Sequence, residues 1–226
     1  MPLAIITGSS RGLGLALARA LAERGWALVI DARTTHELER AARELGTITE
    51  VVALPGDVVD HWHRGALIDA AGDQIDLLVN NASLLGPSPQ PPLAGYPLDM
   101  LERVYQANVL APLALTQLAL PRLPDGSAIV NVTSDAAIEP YAGWGGYGAA
   151  KAALEQASNV LAAEETAIRV WWVDPGDLRT DMHQAAFPGE DITDRPLPES
   201  VVPAFTRLIE ERLPSGRYRA AELVPA

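Results

Sequence analysis

The sequence lacks cysteine, and its basic residues are few. Without cysteine there can be no disulfide, no thiolate nucleophile and no thiolate metal site. Lysine and arginine number 17 against 29 acidic residues, a net charge of −12 that disfavours nucleic acids and acidic membranes because both are polyanions. No apolar run approaches the length of a bilayer span, and the N-terminus lacks the basic region and cleavage site of a signal peptide. We therefore expect a soluble cytoplasmic protein with no nucleic-acid or membrane partner.

Short apolar runs alternate with amphipathic stretches along the 226 residues. The runs are nearly continuous, as in strands that are covered on both faces, and lie at 3–7, 27–30, 50–54, 76–80, 128–133 and 168–173. Helical spacing of leucine and alanine marks 12–24 and 147–163. This alternation predicts an α/β fold, a doubly wound parallel sheet of Rossmann type with helices on both faces. We expect one dinucleotide-binding catalytic domain over residues 1–226.

Two proline-broken stretches interrupt this rhythm. Residues 84–97 contain five prolines, and residues 183–198 contain three before a predicted helix at about 199–213. Proline removes N–H donors, so each stretch predicts an irregular loop. Both follow strands and should lie at the carboxyl ends of the sheet, where such sheets bind ligands. We interpret 84–97 and 183–213 as loops and a lid on the substrate side.

A glycine-rich turn, TGSSRGLG at residues 7–14, joins the first strand to the first helix. Gly8, Gly12 and Gly14 would let the backbone approach a pyrophosphate at the helix N-terminus. The spacing differs from the G-x-G-x-x-G fingerprint, so the turn alone is a weak signal. An ATP-binding P-loop is excluded because no Lys-Ser/Thr pair follows the last glycine.

Tyr147 and Lys151 share one face of a predicted helix, one turn apart. A free phenol has a pKa of about 10, and a neighbouring ammonium favours the phenolate. We expect Lys151 to lower the pKa of Tyr147 and to make it a usable acid or base. By itself this spacing is common on helix surfaces. Ser134 ends a strand thirteen positions earlier, where an isolated serine is most often a turn or cap residue.

Taken together, the motifs TG-x3-G-x-G, NNAS at 80–83, Asn108, Ser134, Y-x3-K and PGDLRT at 175–180 resemble the short-chain dehydrogenase/reductase family. The likeness covers about residues 3–182 and points to its single-domain branch. It implies that Tyr147 exchanges a proton with the substrate oxygen and that Ser134 hydrogen-bonds the same oxygen. It implies further that Lys151 holds the nicotinamide ribose and that Asn108 supports a water relay.

The resemblance also implies a set of cofactor-binding residues along the chain. They are Gly8, Ser10, Arg11, Gly12, Leu13, Gly14, Arg33, Asp57, Val58, Asn81, Ala82, Ser83, Tyr147, Lys151, Pro175, Gly176, Leu178 and Thr180. Ser83 replaces a family glycine. Trp171 stands where many relatives have a small polar residue, and the C-terminal segment lacks the glycine-rich finish that is common in the family.

The choice of cofactor depends on Asp31 and Arg33. Asp31 lies about twenty residues after the glycine loop, where a carboxylate would bind the ribose 2′-hydroxyl of NAD. Counted from Gly25, however, the family's usual NAD position is Ala32, and strand neighbours point to opposite faces. Arg33 and Arg11 occupy places where NADP-dependent relatives carry a base, and two guanidiniums can hold a phosphate. We expect NADP(H) rather than NAD(H).

Other features are weaker. His61 and His63 have no third partner in the sequence, so we expect no metal site. A second face of small residues on the 147–163 helix suggests subunit packing and a homo-oligomer, a dimer or tetramer. The sequence thus predicts an NADP-dependent oxidoreductase acting on a carbonyl or secondary alcohol. The alternative is a non-catalytic NADP(H)-binding regulatory or scaffold protein of the same fold.

Overall fold

The computed structural model describes residues 1–224 as a parallel sheet between two layers of helices. The sheet has seven strands in the order β3-β2-β1-β4-β5-β6-β7, and every neighbouring pair is parallel. The strands are β1 Leu3–Ile6, β2 Ala27–Ala32, β3 Val51–Pro55, β4 Leu77–Asn80, β5 Ala128–Val132, β6 Arg169–Asp174 and β7 Gly216–Arg219. The predicted doubly wound sheet is confirmed.

The first and the sixth helix lie close to the stretches predicted at 12–24 and 147–163. The helices are α1 Gly12–Ala22, α2 Thr35–Leu45, α3 His61–Ala70, α4 Leu98–Tyr105, α5 Ala111–Ala119, α6 Gly145–Glu164, α7 Asp181–Ala186, α8 Val202–Glu211 and α9 Ala220–Leu223. A π-helical segment, Gln106–Leu110, joins α4 to α5. Within residues 1–224, none of the helices combines the length and the apolar content needed to cross a bilayer.

Alternate residues of each strand enter different core layers, which explains why the strands are apolar throughout. Ile6 and Ile30 belong to the layer that contains α1 and α8. Ile5 and Val29 belong to the opposite layer with α3 and α5. Such two-sided burial is typical of parallel sheets covered by crossover helices. The strand order reverses between β1 and β4, and a crevice for ligands is expected at the carboxyl ends of those two strands.

The C-terminal part of the chain differs most from the sequence prediction. The helix expected at about 199–213 begins as a 3₁₀ turn at Pro198–Val201, continues as α8 and ends at Arg212, which has φ +51°. β7 was not predicted, because a four-residue segment with two arginines lacks the apolar signal of the inner strands. Trp171 supports this region from β6. Its buried indole N–H donates to the carbonyls of Leu213 and Pro214, at 3.0 and 3.1 Å.

Candidate active site

The glycine-rich loop runs from β1 into α1 with its backbone tightly turned. Gly8 has φ +70°, and a Cβ on Gly14 would overlap the carbonyl oxygen of Gly8, so a side chain at Gly14 is excluded. The N-cap residue of α1 is Arg11, whose side chain makes no capping hydrogen bond. The first backbone N–H groups of α1 are therefore left for another acceptor, as in helix termini that bind phosphate. Ser10 and Leu13 are buried on the inner side of this turn.

The NNAS segment after β4 fixes the shape of the glycine loop. The Asn81 side-chain amide donates to the carbonyl oxygens of Thr7 and Gly8, at 2.9 and 3.1 Å. In return, the Thr7 hydroxyl accepts the backbone N–H groups of Asn81 and Ala82, both at 3.0 Å. Asn81 and Ala82 thus lie against the glycine loop at the point where the strand order reverses.

The acid and the base at the end of β2 have different surroundings. The Asp31 carboxylate is buried and accepts the backbone N–H of Gly8 at 2.7 Å, whereas Arg33 is exposed. Arg11 is also exposed and pairs with Asp181 on α7 at 2.9 Å and with Glu37 at 3.6 Å. The guanidiniums of Arg11 and Arg33 are therefore accessible to solvent near the glycine loop, whereas the Asp31 carboxylate is buried.

Asp57 and Val58 lie in the turn between β3 and α3. The Asp57 carboxylate accepts the backbone N–H of Val59 at 3.0 Å, and the side chain of Asp57 is otherwise exposed. The Arg64 guanidinium donates to the carbonyl oxygens of Val58 and Val59, at 2.6 and 2.8 Å. This turn is thus held from beneath by α3, with Val58 half-buried.

Tyr147 and Lys151 project from α6 toward the end of β5, and both side chains are buried. The Lys151 ammonium donates to the carbonyl oxygen of Val132 at 2.8 Å. Its nitrogen lies 5.5 Å from the centre of the Tyr147 ring. The helical spacing i, i+4 therefore brings the cation beside the phenol, and the backbone of β5 fixes its position.

Burial has the largest effect on the pKa values of both Tyr147 and Lys151. It raises the pKa of Tyr147 to about 12, against a side-chain hydrogen bond with Ser83 that lowers it. Burial also lowers the pKa of Lys151 to about 8, and the negative charge of Glu155 opposes that shift. The prediction that Tyr147 has a lowered pKa is therefore wrong, because burial, together with the negative charges of Asp174 and Asp135, disfavours the phenolate. At neutral pH the phenol is protonated and can act as an acid.

Ser134 follows β5 and caps a short 3₁₀ turn, Asp135–Ala137. Its hydroxyl donates to the Asp135 carboxylate at 3.0 Å and accepts the backbone N–H of Ala136 at 3.2 Å. Ala136 in turn packs against Tyr147. The turn is thus adjacent to the phenol, but the hydroxyl itself is engaged by Asp135. It would have to exchange that partner to reach a substrate oxygen beside Tyr147.

Asn108 lies in the π-helical segment, and π-bulges are frequent at functional sites. It is fully buried, and its amide makes a two-way link to Leu84: Oδ1 accepts the backbone N–H at 2.7 Å and Nδ2 donates to the carbonyl oxygen at 2.8 Å. The same Oδ1 accepts the Ser83 hydroxyl at 3.2 Å. Since Ser83 also contacts Tyr147, it joins Asn108 to the phenol.

The PGDLRT loop after β6 closes the remaining side. The backbone N–H of Gly176 donates to the Asp174 carboxylate at 2.9 Å, and Leu178 is buried. Thr180 begins α7 by accepting the backbone N–H of His183 at 3.2 Å. Pro175 is half-buried between the strand end and this turn.

Apolar side chains from the 84–97 loop, from α7 and the residue after it, and from the turn before α6 form a wall around Tyr147. Trp144 meets the Tyr147 ring edge-on at 5.8 Å and the Phe187 ring at 5.9 Å, measured between ring centres. Leu85 and the α7 residues Met182, Ala185 and Ala186 pack against the same cluster. The Ser88 hydroxyl ties the 84–97 loop to α7 by donating to the carbonyl oxygen of Ala185 at 2.6 Å.

Sequence reasoning missed a charged network behind the site. Glu155, one turn after Lys151, accepts the Thr133 hydroxyl at 2.8 Å and the Arg217 guanidinium at 3.0 Å. Arg217 also donates to the carbonyl oxygen of Ser134 at 3.4 Å and lies 3.6 Å from the Asp174 carboxylate. The repeat Y-x3-K-x3-E is visible in the sequence and could have indicated Glu155. Arg217 had no such signal, because β7 was not predicted.

The two histidines of the HWH motif, His61 and His63, contact different residues. His61 stacks on Trp62, whereas His63 lies 3.0 Å from the Asp31 carboxylate. Throughout residues 1–224 no group of three or more histidine, aspartate or glutamate side chains is arranged to hold a metal ion.

Comparison with known proteins identifies relatives along most of the chain. A family model described as short chain dehydrogenase matches residues 2–191. Sepiapterin reductase of Bos taurus is 34% identical over 201 residues, which cover 81% of this chain and 75% of that protein. Benzil reductase of Saccharomyces cerevisiae is 32% identical over 192 residues, covering 80% and 73%.

Solved structures agree with the sequence relatives. A short chain dehydrogenase of Shigella flexneri complexed with NADP superposes with a TM-score of 0.88 and 28% identity, covering 97% of each chain. A second one, from Escherichia coli and complexed with NADPH, has a TM-score of 0.86 and 28% identity over 97% of this chain and 96% of that one. With the family match and the parallel sheet, these likenesses establish that the chain belongs to the short-chain dehydrogenases and is an oxidoreductase of that family.

Proposed function

We propose that this protein is an NADP(H)-dependent oxidoreductase that transfers a hydride between nicotinamide and a carbonyl or secondary alcohol. The observation that carries the proposal is the buried Tyr147–Lys151 pair at the end of β5, with the lysine nitrogen 5.5 Å from the phenol ring centre. A protonated phenol at neutral pH is the form that donates a proton. We therefore propose carbonyl reduction as the favoured direction, with Tyr147 as the acid.

The residues around the glycine loop fit a dinucleotide. The uncapped start of α1 offers N–H groups to a pyrophosphate, and the backbone approach at Gly8 and Gly14 leaves no room for side chains. Asp57 and Val58 would border the adenine, and Pro175 to Thr180 would border the nicotinamide. When bound, the cofactor would supply the hydride.

The protein's own groups would handle the proton. Tyr147 donates its phenolic proton to the substrate oxygen as that oxygen gains negative charge, and the Lys151 ammonium beside it stabilises the phenolate that is left. Ser134 releases Asp135 and donates to the same oxygen. Asn108 holds the 83–84 backbone against the phenol and supports the water relay that returns a proton to Lys151.

Two exposed arginines support a preference for NADP(H). Arg33 follows β2 and Arg11 lies in the glycine loop; both are exposed, and we propose that their guanidiniums hold the 2′-phosphate. We expect Arg33→Asp to shift preference toward NADH, because a carboxylate repels the phosphate and can accept a ribose hydroxyl. The measurement is kcat/KM with each cofactor. A wild-type enzyme that already prefers NADH would refute the assignment.

The apolar wall of Trp144, Met182, Leu85 and Phe187 favours a substrate with an apolar or aromatic group beside its carbonyl. The test is consumption of NADPH with a panel of ketones, diketones and aldehydes of increasing size. Tyr147→Phe should lower kcat by about 10²–10⁴-fold while NADPH still binds. Tyr218→Phe, on the edge strand β7, is the matched control and should retain activity.

The carbonyl panel and the Tyr147→Phe variant distinguish an enzyme from a protein that only binds the cofactor. Turnover that Tyr147→Phe abolishes supports the enzyme. Tight NADPH binding without turnover on the whole panel would support the non-catalytic regulatory protein instead.

Oligomeric state and location stay predictions. We propose a dimer or tetramer, because the outer face of α6 exposes Ala149, Gln156 and Val160 and would be covered in a homo-oligomer. Light scattering during gel filtration measures the mass directly, and a monomer would contradict this. A cytoplasmic location is likewise an expectation from the sequence.

A further inference from the structure

The Asp31 carboxylate is fully occupied inside the protein. It is 1% exposed, and each of its oxygens has a partner: Oδ1 accepts the Gly8 backbone N–H at 2.7 Å, and Oδ2 lies 3.0 Å from Nε2 of His63. The backbone carbonyl of the same residue accepts the Ser9 N–H at 2.8 Å. Asp31 thus holds the glycine loop from beneath through both its side chain and its main chain.

His63 reaches this carboxylate because α3 begins close to the end of β2. Asp60 caps the helix by accepting the backbone N–H of Trp62 at 2.8 Å, which sets the direction of the first turn. The imidazole is only 9% exposed and fills the space beside Gly56, where a Cβ would overlap its ring. His63 is therefore enclosed between the ends of β2 and β3, directly below the turn that contains Asp57.

This arrangement holds a carboxylate in the interior, one position before the residue at which NAD-dependent relatives are expected to carry their acid. An acid at the end of the second strand ordinarily accepts the ribose 2′-hydroxyl and excludes a 2′-phosphate. In this chain one carboxylate oxygen, Oδ2, faces Nε2 of the His63 imidazole at 3.0 Å. Two positions later Arg33 is exposed and free to meet a phosphate.

We propose that His63 is a specificity-determining residue, which retains Asp31 in the interior and so prevents that carboxylate from accepting a ribose hydroxyl or repelling a 2′-phosphate. Cofactor choice is thereby left to Arg33 and Arg11. The inference rests on the proposed preference for NADP(H). It adds a second requirement to that preference: the arginines must be present, and the acid beside them must be held away.

The experiment measures the dissociation constants of NADPH and NADH by calorimetry on the whole protein, with no substrate present. In His63→Ala the freed carboxylate should weaken NADPH binding and strengthen NADH binding. The ratio Kd(NADH)/Kd(NADPH) should fall by about tenfold or more, the scale of one charged hydrogen bond. His61→Ala, which removes the exposed imidazole two residues earlier on the same helix, is the control and should leave the ratio unchanged.

A double-mutant cycle with Asp31→Asn separates this role from a structural one. In the Asp31→Asn background, His63→Ala should no longer change the ratio, because no carboxylate remains to be freed. Equal loss of both cofactors in His63→Ala, or an undiminished effect in that background, would overturn the inference.

Two further outcomes keep the test decisive. If His63→Ala does not fold, His63→Gln retains an N–H donor and should keep a ratio near that of the wild type, and Asp31→Asn alone should not lower the affinity for NADH relative to that for NADPH. Weaker binding of NADH with unchanged binding of NADPH in Asp31→Asn would show that the carboxylate already serves the ribose and would refute the role of His63. A wild-type protein that prefers NADH would instead refute the proposed cofactor, whichever way the variants behave.

Discussion

Gly148 and Ala136 bring the catalytic helix and the turn after β5 together backbone to backbone. A Cβ on Gly148 would overlap the carbonyl oxygen of Ala136. That close approach places the Ser134 turn beside Tyr147, the residue before Gly148. The distance between the Ser134 turn and Tyr147 therefore depends on the absence of a Cβ at Gly148.

Gly148→Ala should push the turn away from α6. We expect a loss of about 1–3 kcal/mol in the free energy of unfolding, the usual cost of overpacking, and a fall in kcat larger than the stability loss implies. Urea unfolding and steady-state kinetics measure the two effects. Ala163→Ser, at an exposed position near the end of α6, is the control. A variant with wild-type kcat would mean that the turn can move without consequence for catalysis.

The protonation of Lys151 predicts how the reduction rate depends on pH. The reaction needs a neutral Tyr147 and a charged Lys151, whose pKa values lie at about 12 and about 8. As pH rises, the lysine loses its proton first. We expect kcat/KM to be level below pH 8 and to fall about tenfold per pH unit above it, with an apparent pKa that belongs to the coupled pair.

Lys151→Arg tests the origin of this alkaline fall. A guanidinium stays charged throughout the range, so the variant should be less active but should lose the fall near pH 8. A fall that persists at the same pH in Lys151→Arg would assign it to another group.

Glu155 should set the pH at which the fall begins. Its negative charge favours the Lys151 ammonium and opposes the lowering of the lysine pKa by burial. Glu155→Gln removes the charge and keeps an acceptor for the Thr133 hydroxyl, so the alkaline fall should move to lower pH. The pH profile of kcat/KM measures the shift, and Glu164→Gln, exposed near the end of α6, is the control. A shift to higher pH would contradict the electrostatic role.

The parallel sheet was predictable because its inner strands are buried on both faces and therefore read as continuous apolar runs. Ile5 and Ile6 enter opposite core layers, so neither position tolerates a polar residue. β7 escaped prediction because it is a four-residue edge strand that contains two arginines and no apolar run. The role of Arg217 follows from its contacts with Glu155 and Asp174, which are 62 and 43 positions away in the chain and could not be paired with it from the sequence.

The proximity of Tyr147 and Lys151 was predictable from the sequence, but their protonation states were not. Tyr147 and Lys151 are one helical turn apart, so their proximity follows from local geometry. The pKa of Tyr147 depends on how completely the surrounding loops exclude water, and that is a property of the whole fold. The pairing of Asp31 with His63 was equally hidden, since it joins two elements that are adjacent only in space.

Ser83 should control the acidity of Tyr147. Ser83 stands where the family resemblance leads us to expect a glycine. Its hydroxyl lies 3.2 Å from Asn108 Oδ1, and its hydrogen bond with Tyr147 lowers the pKa of the phenol against burial, so the single hydroxyl proton can serve either partner. Ser83→Ala removes that bond, so the phenol should become a weaker acid and kcat for reduction should fall by about tenfold. A larger solvent deuterium isotope effect on kcat would show that proton transfer has become slower. Ser83→Thr keeps the hydroxyl and should recover most of the rate, while Ser200→Ala, an exposed serine outside the site, is the control. If Ser83→Ala keeps the wild-type kcat and isotope effect, the hydroxyl contributes nothing to proton donation, and the glycine of other family members would serve equally well at this position.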